Sequence, residues 1–162
     1  MNKRFLLALT VAALVVSVGA FVAYPRSAGE NDSIRLRPDD REIVAHGGAI
    51  YKARCAVCHG ASLEGQPRWR ERGPDGLLPA PPHDESGHTW HHPDELLFRI
   101  TKHGFGKLTN MADYRTAMPV YEGVLSDDDI VAVLSWIKAQ WPQTVRERHD
   151  QINAQYRQAQ ER

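Results

Sequence analysis

The chain has 162 residues, a length typical of one domain, and its composition of 42% hydrophobic and 25% charged residues excludes an intrinsically disordered protein. Lysine and arginine number 20, and aspartate and glutamate also number 20, so the formal net charge is zero. Because no run of like charges interrupts this balance, the sequence also excludes a basic arm for binding nucleic acid.

An uncharged segment at residues 5–24 follows two basic residues near the N-terminus. A helix of this length measures about 30 Å, which matches the hydrocarbon core of a bilayer. Residues 1–24 are therefore predicted to be a signal anchor with one transmembrane helix in the cytoplasmic membrane, and the basic residues keep its N-terminus on the cytoplasmic side. The alternative is a cleaved signal peptide, with residues 18–20 as the cleavage site. The mature protein would then be soluble and periplasmic.

Residues 25–40 are polar, contain two prolines, and are predicted to be a linker between the membrane and an exported domain. If flexible, a linker of this length reaches on the order of 20 Å. Asp39 and Asp40 at its end are both in position to cap a helix that runs to about Arg54. The first helix of the exported part is thus expected to begin directly after the linker.

Two further helices are predicted in the second half of the chain. Pro93, at the first helical position with two acidic residues behind it, opens one helix, and Gly104 ends it. Ser126 caps the other, three aspartates follow in its first turn, and Pro142 stops it. Residues 143–162 are predicted to be a polar, helical tail. The sequence contains no strand pattern, so the predicted fold class is all-α.

Both cysteines lie in the stretch CAVCH, residues 55–59. Two thiols at this spacing, followed by a histidine, fit the attachment pattern of c-type haem, in which the thiols bond to the porphyrin vinyl groups and the imidazole binds the iron. Cys55 and Cys58 are therefore the predicted attachment residues, and His59 is the predicted proximal ligand. A disulfide across so short a span would constrain the unfolded chain little. A thiol oxidoreductase needs a βαβ context, and a zinc site needs further ligands.

With this motif, the chain resembles a class I c-type cytochrome over about residues 43–142. The resemblance rests on GGAIYKARCAVCHG at one end and AMPVYEGVLSDDDIVAVLSWIKAQW at the other. It implies a cytochrome c fold with about three main helices around one covalently bound haem c. Residues 41–142 are accordingly the predicted haem domain of a monohaem, membrane-anchored protein.

The resemblance also implies the second axial ligand of the iron. In the family, a methionine in a Met-Pro stretch shortly before the last helix binds the iron, and Met118 matches it. Met111 is the alternative methionine. A haem with two histidine ligands, using His103 or one of the histidines at 88–92 in place of Met118, is a further alternative. Loop histidines are more often solvated side chains than copper or zinc ligands, so no separate metal site is predicted at 88–92.

Several neighbours of the haem are assigned by the same resemblance. Gly47 or Gly48 and Tyr51 on the first helix are expected to pack against Trp136 on the last, and Trp90 is a candidate for contact with a haem propionate. A proline carbonyl is expected to accept a hydrogen bond from the second ring nitrogen of the proximal histidine. The sequence leaves three prolines open for this role: Pro79, Pro81 and Pro82.

The loop at residues 60–91 is longer than in the small soluble cytochromes. A loop of this length is uncommon in a compact domain unless something organises it, and a bound cofactor is expected to do so.

The function implied by the resemblance is one-electron transfer, by an electron carrier rather than an enzyme and without catalytic residues. The expected partners are redox proteins, either a respiratory complex or a periplasmic oxidoreductase, together with the membrane and no nucleic acid. If Met118 does not bind the iron, a peroxidase-like or gas-binding haem domain is the alternative. If no haem is attached, a thiol-disulfide oxidoreductase is the alternative.

Overall fold

Helices make up the regular structure of this domain. The computed structural model describes residues 33–109 and 115–162, and within these ranges it contains helices but no β-strand. The elements in chain order are α1 (Arg41–Arg54), α2 (Ala56–His59), a 3₁₀ turn (Thr89–His91), α3 (Asp94–His103), α4 (Phe105–Leu108), α5 (Asp127–Ala139) and α6 (Gln143–Gln160). The prediction of an all-α fold is confirmed for these residues.

The predicted transmembrane helix at residues 5–24 and the first part of the predicted linker lie outside the described residues. Of the helices that the structure describes, none combines the length and the hydropathy needed to cross a bilayer. The membrane anchor therefore stays a prediction.

The core is built on the crossing of α1 and α5. α1 begins after Asp40, whose carboxylate accepts hydrogen bonds from backbone N–H groups of the first turn. Gly47 lies where the two helices meet, because a Cβ there would stand 2.0 Å from the carbonyl oxygen of Ala132. Only glycine permits so close an approach of two backbones. Farther along α1, Tyr51 packs on Trp136 with ring centroids 4.5 Å apart, so the predicted contact between the two helices is confirmed.

α5 is the central helix of the core and is buried along most of its length. Its N-terminus carries a capping box, in which the Asp129 N–H donates to Ser126 Oγ and the Ser126 N–H donates to the Asp129 carboxylate. Such a cap stabilises a helix by about 1 kcal/mol. Ile130 and Ile137 are almost fully buried, and the helix ends before Pro142, as predicted.

α3 begins one residue later than the sequence indicates. Pro93 has a ψ of 156°, which is extended, so it occupies the N-cap position rather than the first helical position. Leu97 and Phe98 join the hydrophobic core, and Gly104 ends the helix with a φ of +80°. Only glycine adopts this left-handed region without steric cost, which explains why the predicted end is correct.

The described end of the predicted linker, residues 33–40, packs against the helices. Leu36 belongs to the hydrophobic core, and its N–H donates to the buried carboxylate of Asp94 at 2.9 Å. The N–H of Arg37 donates to Ser135 Oγ on α5 at 2.8 Å. The compact unit extends over residues 33–162, so it includes the last part of the predicted linker.

Buried polar side chains attach α6 to the rest of the domain. Asn153 accepts a hydrogen bond from the Asp94 N–H at 2.8 Å and donates one to the Asp94 carboxylate at 3.0 Å. His149 is fully buried, and its Nε2 lies 2.9 Å from the carbonyl oxygen of His92. Burial lowers the pKa of His149, which favours the neutral ring. The tail is helical, as expected, and these polar contacts attach it to the domain together with Val145, which packs against the hydrophobic core.

We expect Asn153→Ala to lower the free energy of unfolding by about 1–3 kcal/mol, because Asp94 would keep a buried N–H and a carboxylate oxygen without their partner. Chemical denaturation followed by circular dichroism measures the change. Gln155→Ala, at an exposed position of the same helix, is the control and should stay within about 0.5 kcal/mol of the wild type. Equal stabilities of Asn153→Ala and the wild type would contradict this role of the polar contacts.

Candidate haem-binding site

The two cysteines lie on a single helical turn directly after α1. Cys55 ends α1 and begins α2, and the N–H groups of Cys58 and His59 both donate to its carbonyl oxygen, at 3.1 and 2.9 Å. The turn ends at Gly60, which has a φ of +82°. Both thiols are unpaired, and Cys58 is exposed while Cys55 is half-buried. The sequence therefore folds locally into a turn that carries two thiols three residues apart. The imidazole of His59 directly follows the second thiol in the chain.

His59 is buried and has one ring nitrogen already engaged. Its Nδ1 lies 2.9 Å from the carbonyl oxygen of Pro81, which can only accept, so Nδ1 carries the proton and donates. Burial lowers the pKa of His59, and the hydrogen bond to Pro81 opposes this shift. The neutral ring then keeps the Nε2 lone pair for a metal, as metal-ligating histidines require. Of the three prolines left open by the sequence, the structure selects Pro81.

Hydrogen bonds within the loop at residues 60–91 bring Pro81 to His59. The Gly65 N–H donates to the His59 carbonyl at 2.8 Å. Next to it, Gln66 is joined to Ala80 twice, through its N–H to the Ala80 carbonyl at 2.8 Å and through its side-chain oxygen to the Ala80 N–H at 2.9 Å. These hydrogen bonds set the path of the loop at the site, and the expectation that a bound cofactor also organises the loop stays a prediction.

A second imidazole, not identified from the sequence, lies against the first. The rings of His83 and His59 are stacked, with centroids 4.0 Å apart and planes 20° apart. His83 Nδ1 is 2.8 Å from Thr89 Oγ1. Burial holds the pKa of His83 well below its usual range, with smaller contributions from the nearby histidines 59 and 88. The sequence carries no signal for this residue other than its position two residues after Pro81.

The environment of Cys55 suppresses its thiolate. Burial raises the pKa of Cys55 to about 11, partly opposed by a hydrogen bond with Tyr121, and the neighbouring Cys58 raises it further. The Tyr121 hydroxyl also donates to the Arg54 carbonyl oxygen at 3.2 Å. Nucleophilic cysteines of thiol-disulfide oxidoreductases have lowered pKa values. The raised pKa of Cys55 is therefore the opposite of what thiol exchange at this residue requires.

Met118 lies in the segment that leads to α5. It is half-buried, and its N–H donates to Thr116 Oγ1 at 3.0 Å. The residues that follow are attached to the end of α3, since the Tyr121 N–H donates to the Thr101 carbonyl at 3.3 Å. The alternative methionine, Met111, lies outside the described residues. The assignment of Met118 as an axial ligand stays a prediction.

Trp90, the candidate for propionate contact, uses its indole N–H within the loop. The Nε1–H donates to the Glu85 carbonyl oxygen at 3.2 Å, and the ring stacks on His91 with centroids 3.6 Å apart. The guanidinium of Arg148 on α6 lies 5.4 Å from the centre of the Trp90 ring. The structure thus places Trp90 between the loop and α6, and its contact with haem stays a prediction.

The histidines considered as alternative ligands contact other side chains of the domain. The His88 ring stacks on the Trp69 ring with centroids 5.4 Å apart. It also contacts the His92 ring edge to face, again with centroids 5.4 Å apart. His103 Nδ1 lies 3.3 Å from the carboxylate of Glu122. In the ranges covered by the structure, no group of three or more histidine, cysteine, aspartate or glutamate side chains could hold a metal ion.

Taken together, the attachment turn fits a covalently bound haem. Cys55 and Cys58 are unpaired thiols one helical turn apart, and His59 has a free ring nitrogen whose tautomer is set by Pro81. These are the two requirements of c-type attachment: two thioether bonds and a neutral imidazole for the iron.

We expect Gly65→Ala to disturb this site. Gly65 has a φ of +67°, and a Cβ there would stand 2.4 Å from the Pro82 nitrogen and 2.6 Å from the Pro81 carbonyl carbon. Gly123 is a matched control, since it has a φ of +75° but nothing within 4 Å of the same position. Both variants strain the backbone, but only the first overpacks the loop. Gly65→Ala should therefore lose about 1–3 kcal/mol more stability than Gly123→Ala in thermal melts, and equal losses would contradict this.

Comparison with known proteins agrees with this geometry. Residues 42–137, more than half of the chain, match the family model described as cytochrome c oxidase, cbb3-type, subunit III. Searches of curated proteins and of solved structures each returned no significant match. The matched range begins in α1, contains the attachment turn and ends in α5. The chain therefore belongs to the cbb3-type cytochrome c oxidase subunit III family and contains a class I c-type cytochrome domain that binds covalent haem c.

Proposed function

We propose that this protein carries single electrons at the outer face of the cytoplasmic membrane, using one haem c ligated by His59 and Met118. A c-type cytochrome domain implies electron transfer. The location at the membrane and the two iron ligands are what we propose in addition. The observation that carries it is the attachment turn, with two unpaired thiols beside a histidine whose Nδ1 is bound by the Pro81 carbonyl.

Each residue of the attachment turn has one task in this proposal. When bound, haem c supplies a one-electron ferric/ferrous couple. Cys55 and Cys58 hold the cofactor covalently, so the protein retains it without relying on the iron ligands alone. His59 presents Nε2 to the iron, and the Pro81 carbonyl fixes its tautomer and strengthens it as a donor. None of these tasks makes or breaks a substrate bond, so the protein is an electron carrier or a redox subunit.

Met118 is the residue that we propose would bind the iron together with His59. It lies three residues before Tyr121, whose N–H donates to the Thr101 carbonyl, so the chain is attached to the end of α3 shortly after Met118. A thioether ligand stabilises ferrous iron and raises the reduction potential, which suits an electron carrier with both axial positions filled. An exposed iron position would instead favour peroxidase-like chemistry or gas binding.

Apolar side chains near these residues support a docking surface for a redox partner. Val57, between the two cysteines in sequence, is 84% exposed, and Val120, two residues after Met118, is 48% exposed. A redox partner docked at this site would cover both side chains. The haem edge at the Cys55 and Cys58 thioethers is accordingly the proposed exit for electrons.

The location and the partner are inferred from sequence features. The uncharged segment at residues 5–24 has the length of a transmembrane helix, and the polar residues after it would connect the membrane to the domain. The family description names a subunit of a respiratory oxidase, so we propose that the partners are redox centres of a respiratory complex. If the N-terminal segment is cleaved, the same domain would act as a soluble periplasmic carrier.

The first test of the proposal is haem attachment. Purified protein from cells with the c-type maturation machinery should give a c-type pyridine haemochrome spectrum, and the haem should stay with the protein after acid-acetone extraction. Cys55→Ala with Cys58→Ala should lose the haem on extraction, because no thioether can form. Extraction of all haem from the wild type would contradict covalent attachment.

The second test concerns the axial ligand. Met118→Ala should abolish the weak red absorption band of ferric iron bound to thioether sulfur, lower the reduction potential, and allow the ferrous protein to bind carbon monoxide. Met111→Leu is the matched control and should keep all three properties of the wild type. The opposite result, with loss of the band only in Met111→Leu, would reassign the ligand. A band retained in both variants would contradict methionine ligation.

A further inference from the structure

His83 is a half-buried imidazole that the attachment motif does not include. Its ring lies parallel to that of His59, with centroids 4.0 Å apart and planes 20° apart. His59 is therefore contacted in two different ways: at its Nδ1 by the Pro81 carbonyl and on its face by His83. The two contacts come from residues only two positions apart in the same stretch of loop.

The backbone of His83 is fixed from two directions. Its N–H donates to the Leu63 carbonyl at 2.7 Å, and its own carbonyl accepts from Trp141 Nε1 at 2.7 Å. Leu63 is buried and has a φ of +69°, a left-handed conformation that is costly for a residue with this side chain. Such strain persists only where surrounding contacts over-determine the backbone. The loop therefore holds His83 in a defined position beside His59.

The ring of His83 is fixed as well. Its Nδ1 lies 2.8 Å from Thr89 Oγ1, in the 3₁₀ turn. Thr89 is itself buried, and its β-branched side chain has few favourable χ1 rotamers. With the backbone and one ring nitrogen both bound, the plane of the His83 ring is determined by the protein.

A single hydrogen bond leaves an imidazole free to tilt and to rotate about the bond axis. A flat ring packed on its face removes much of that freedom, because rotation of His59 would drive its atoms into His83. Two contacts of different kind, at an edge and on a face, therefore fix both the tautomer and the plane of His59. This is a task that the Pro81 carbonyl alone does not perform.

We propose that His83 is a positioning residue that fixes the plane of the His59 imidazole by stacking on it, with Thr89 holding the stacked ring in place. The inference rests on the proposed function, because the plane of His59 has a chemical consequence only when His59 binds the haem iron. The orientation of an axial imidazole sets how unevenly unpaired spin is distributed over a ferric haem. That distribution is a property that spectroscopy measures directly and that fold stability does not determine.

The test compares three variants of the full-length, haem-loaded protein with the wild type. His83→Leu removes the stacked ring and its hydrogen bond, His83→Phe restores a flat ring without the hydrogen bond, and Thr89→Val removes the hydrogen bond and keeps the ring. His46→Leu is the control, since it makes the same chemical change at an exposed histidine on α1. The measurements are haem content by pyridine haemochrome, the proton shifts of the haem methyl groups, and the electron paramagnetic resonance of the ferric protein.

We expect His83→Leu to keep one haem c per chain but to change the order or spread of the haem methyl shifts and the resonance anisotropy. His83→Phe and Thr89→Val each keep a flat ring without the hydrogen bond to Thr89, so both should fall between the wild type and His83→Leu. His46→Leu should match the wild type. We expect this graded series if stacking is the cause. The change in the spectra would then depend on whether a flat ring is present and fixed beside His59, and not on the stability of the variant.

Unchanged spectra in fully loaded His83→Leu would overturn the inference and leave the proposed function intact. A departure in His83→Phe as large as that in His83→Leu would also overturn it, since stacking would then not be the cause. If His83→Leu fails to fold, Thr89→Val decides: wild-type spectra in that variant contradict the role given to Thr89, and a shifted pattern supports it. Absence of attached haem from the wild type would overturn the proposed function, and this inference with it.

Discussion

The hydrogen bond from His59 Nδ1 to the Pro81 carbonyl is the contact on which the functional part of this domain depends. It connects the attachment turn to the far side of a long loop that has little regular structure. Because the acceptor belongs to the backbone, the orientation of His59 depends on the path of the chain more than on the side chain at position 81. The bonds between Gln66 and Ala80 define that path, and they make the loop part of the site.

The helix crossing supports the same site from the other side. Tyr51 packs on Trp136 in the crossing, and its hydroxyl donates to the Gly60 carbonyl at 2.8 Å, where the attachment turn ends. One side chain thus connects the close approach at Gly47 with the end of the motif that holds the cysteines. The loop and the helix crossing both contact the attachment turn, so the packing of the core and the orientation of His59 are not independent.

Local chemistry explains what could be predicted from the sequence. The caps at Asp40 and Ser126 and the spacing of the cysteines depend on residues within one or two turns of each other, and they are found where expected. Contacts between distant segments could not be predicted in this way. Asn153 meets Asp94 and His83 meets His59 only after folding, and nothing in the neighbouring residues marks a polar side chain as buried rather than solvated. The choice of Pro81 among three prolines depends on the same tertiary path.

The double link between Gln66 and Ala80 also separates two parts of one loop. Residues 67–79 lie between Gln66 and Ala80, which are held together by these two hydrogen bonds. The distance between the two ends of this segment is therefore set by the bonds rather than by the residues within it. The loop-closure entropy of such a segment grows only slowly with its length. Changes in the length or charge of residues 67–79 can therefore adapt the outer surface of the domain to different neighbours while His59 keeps its orientation.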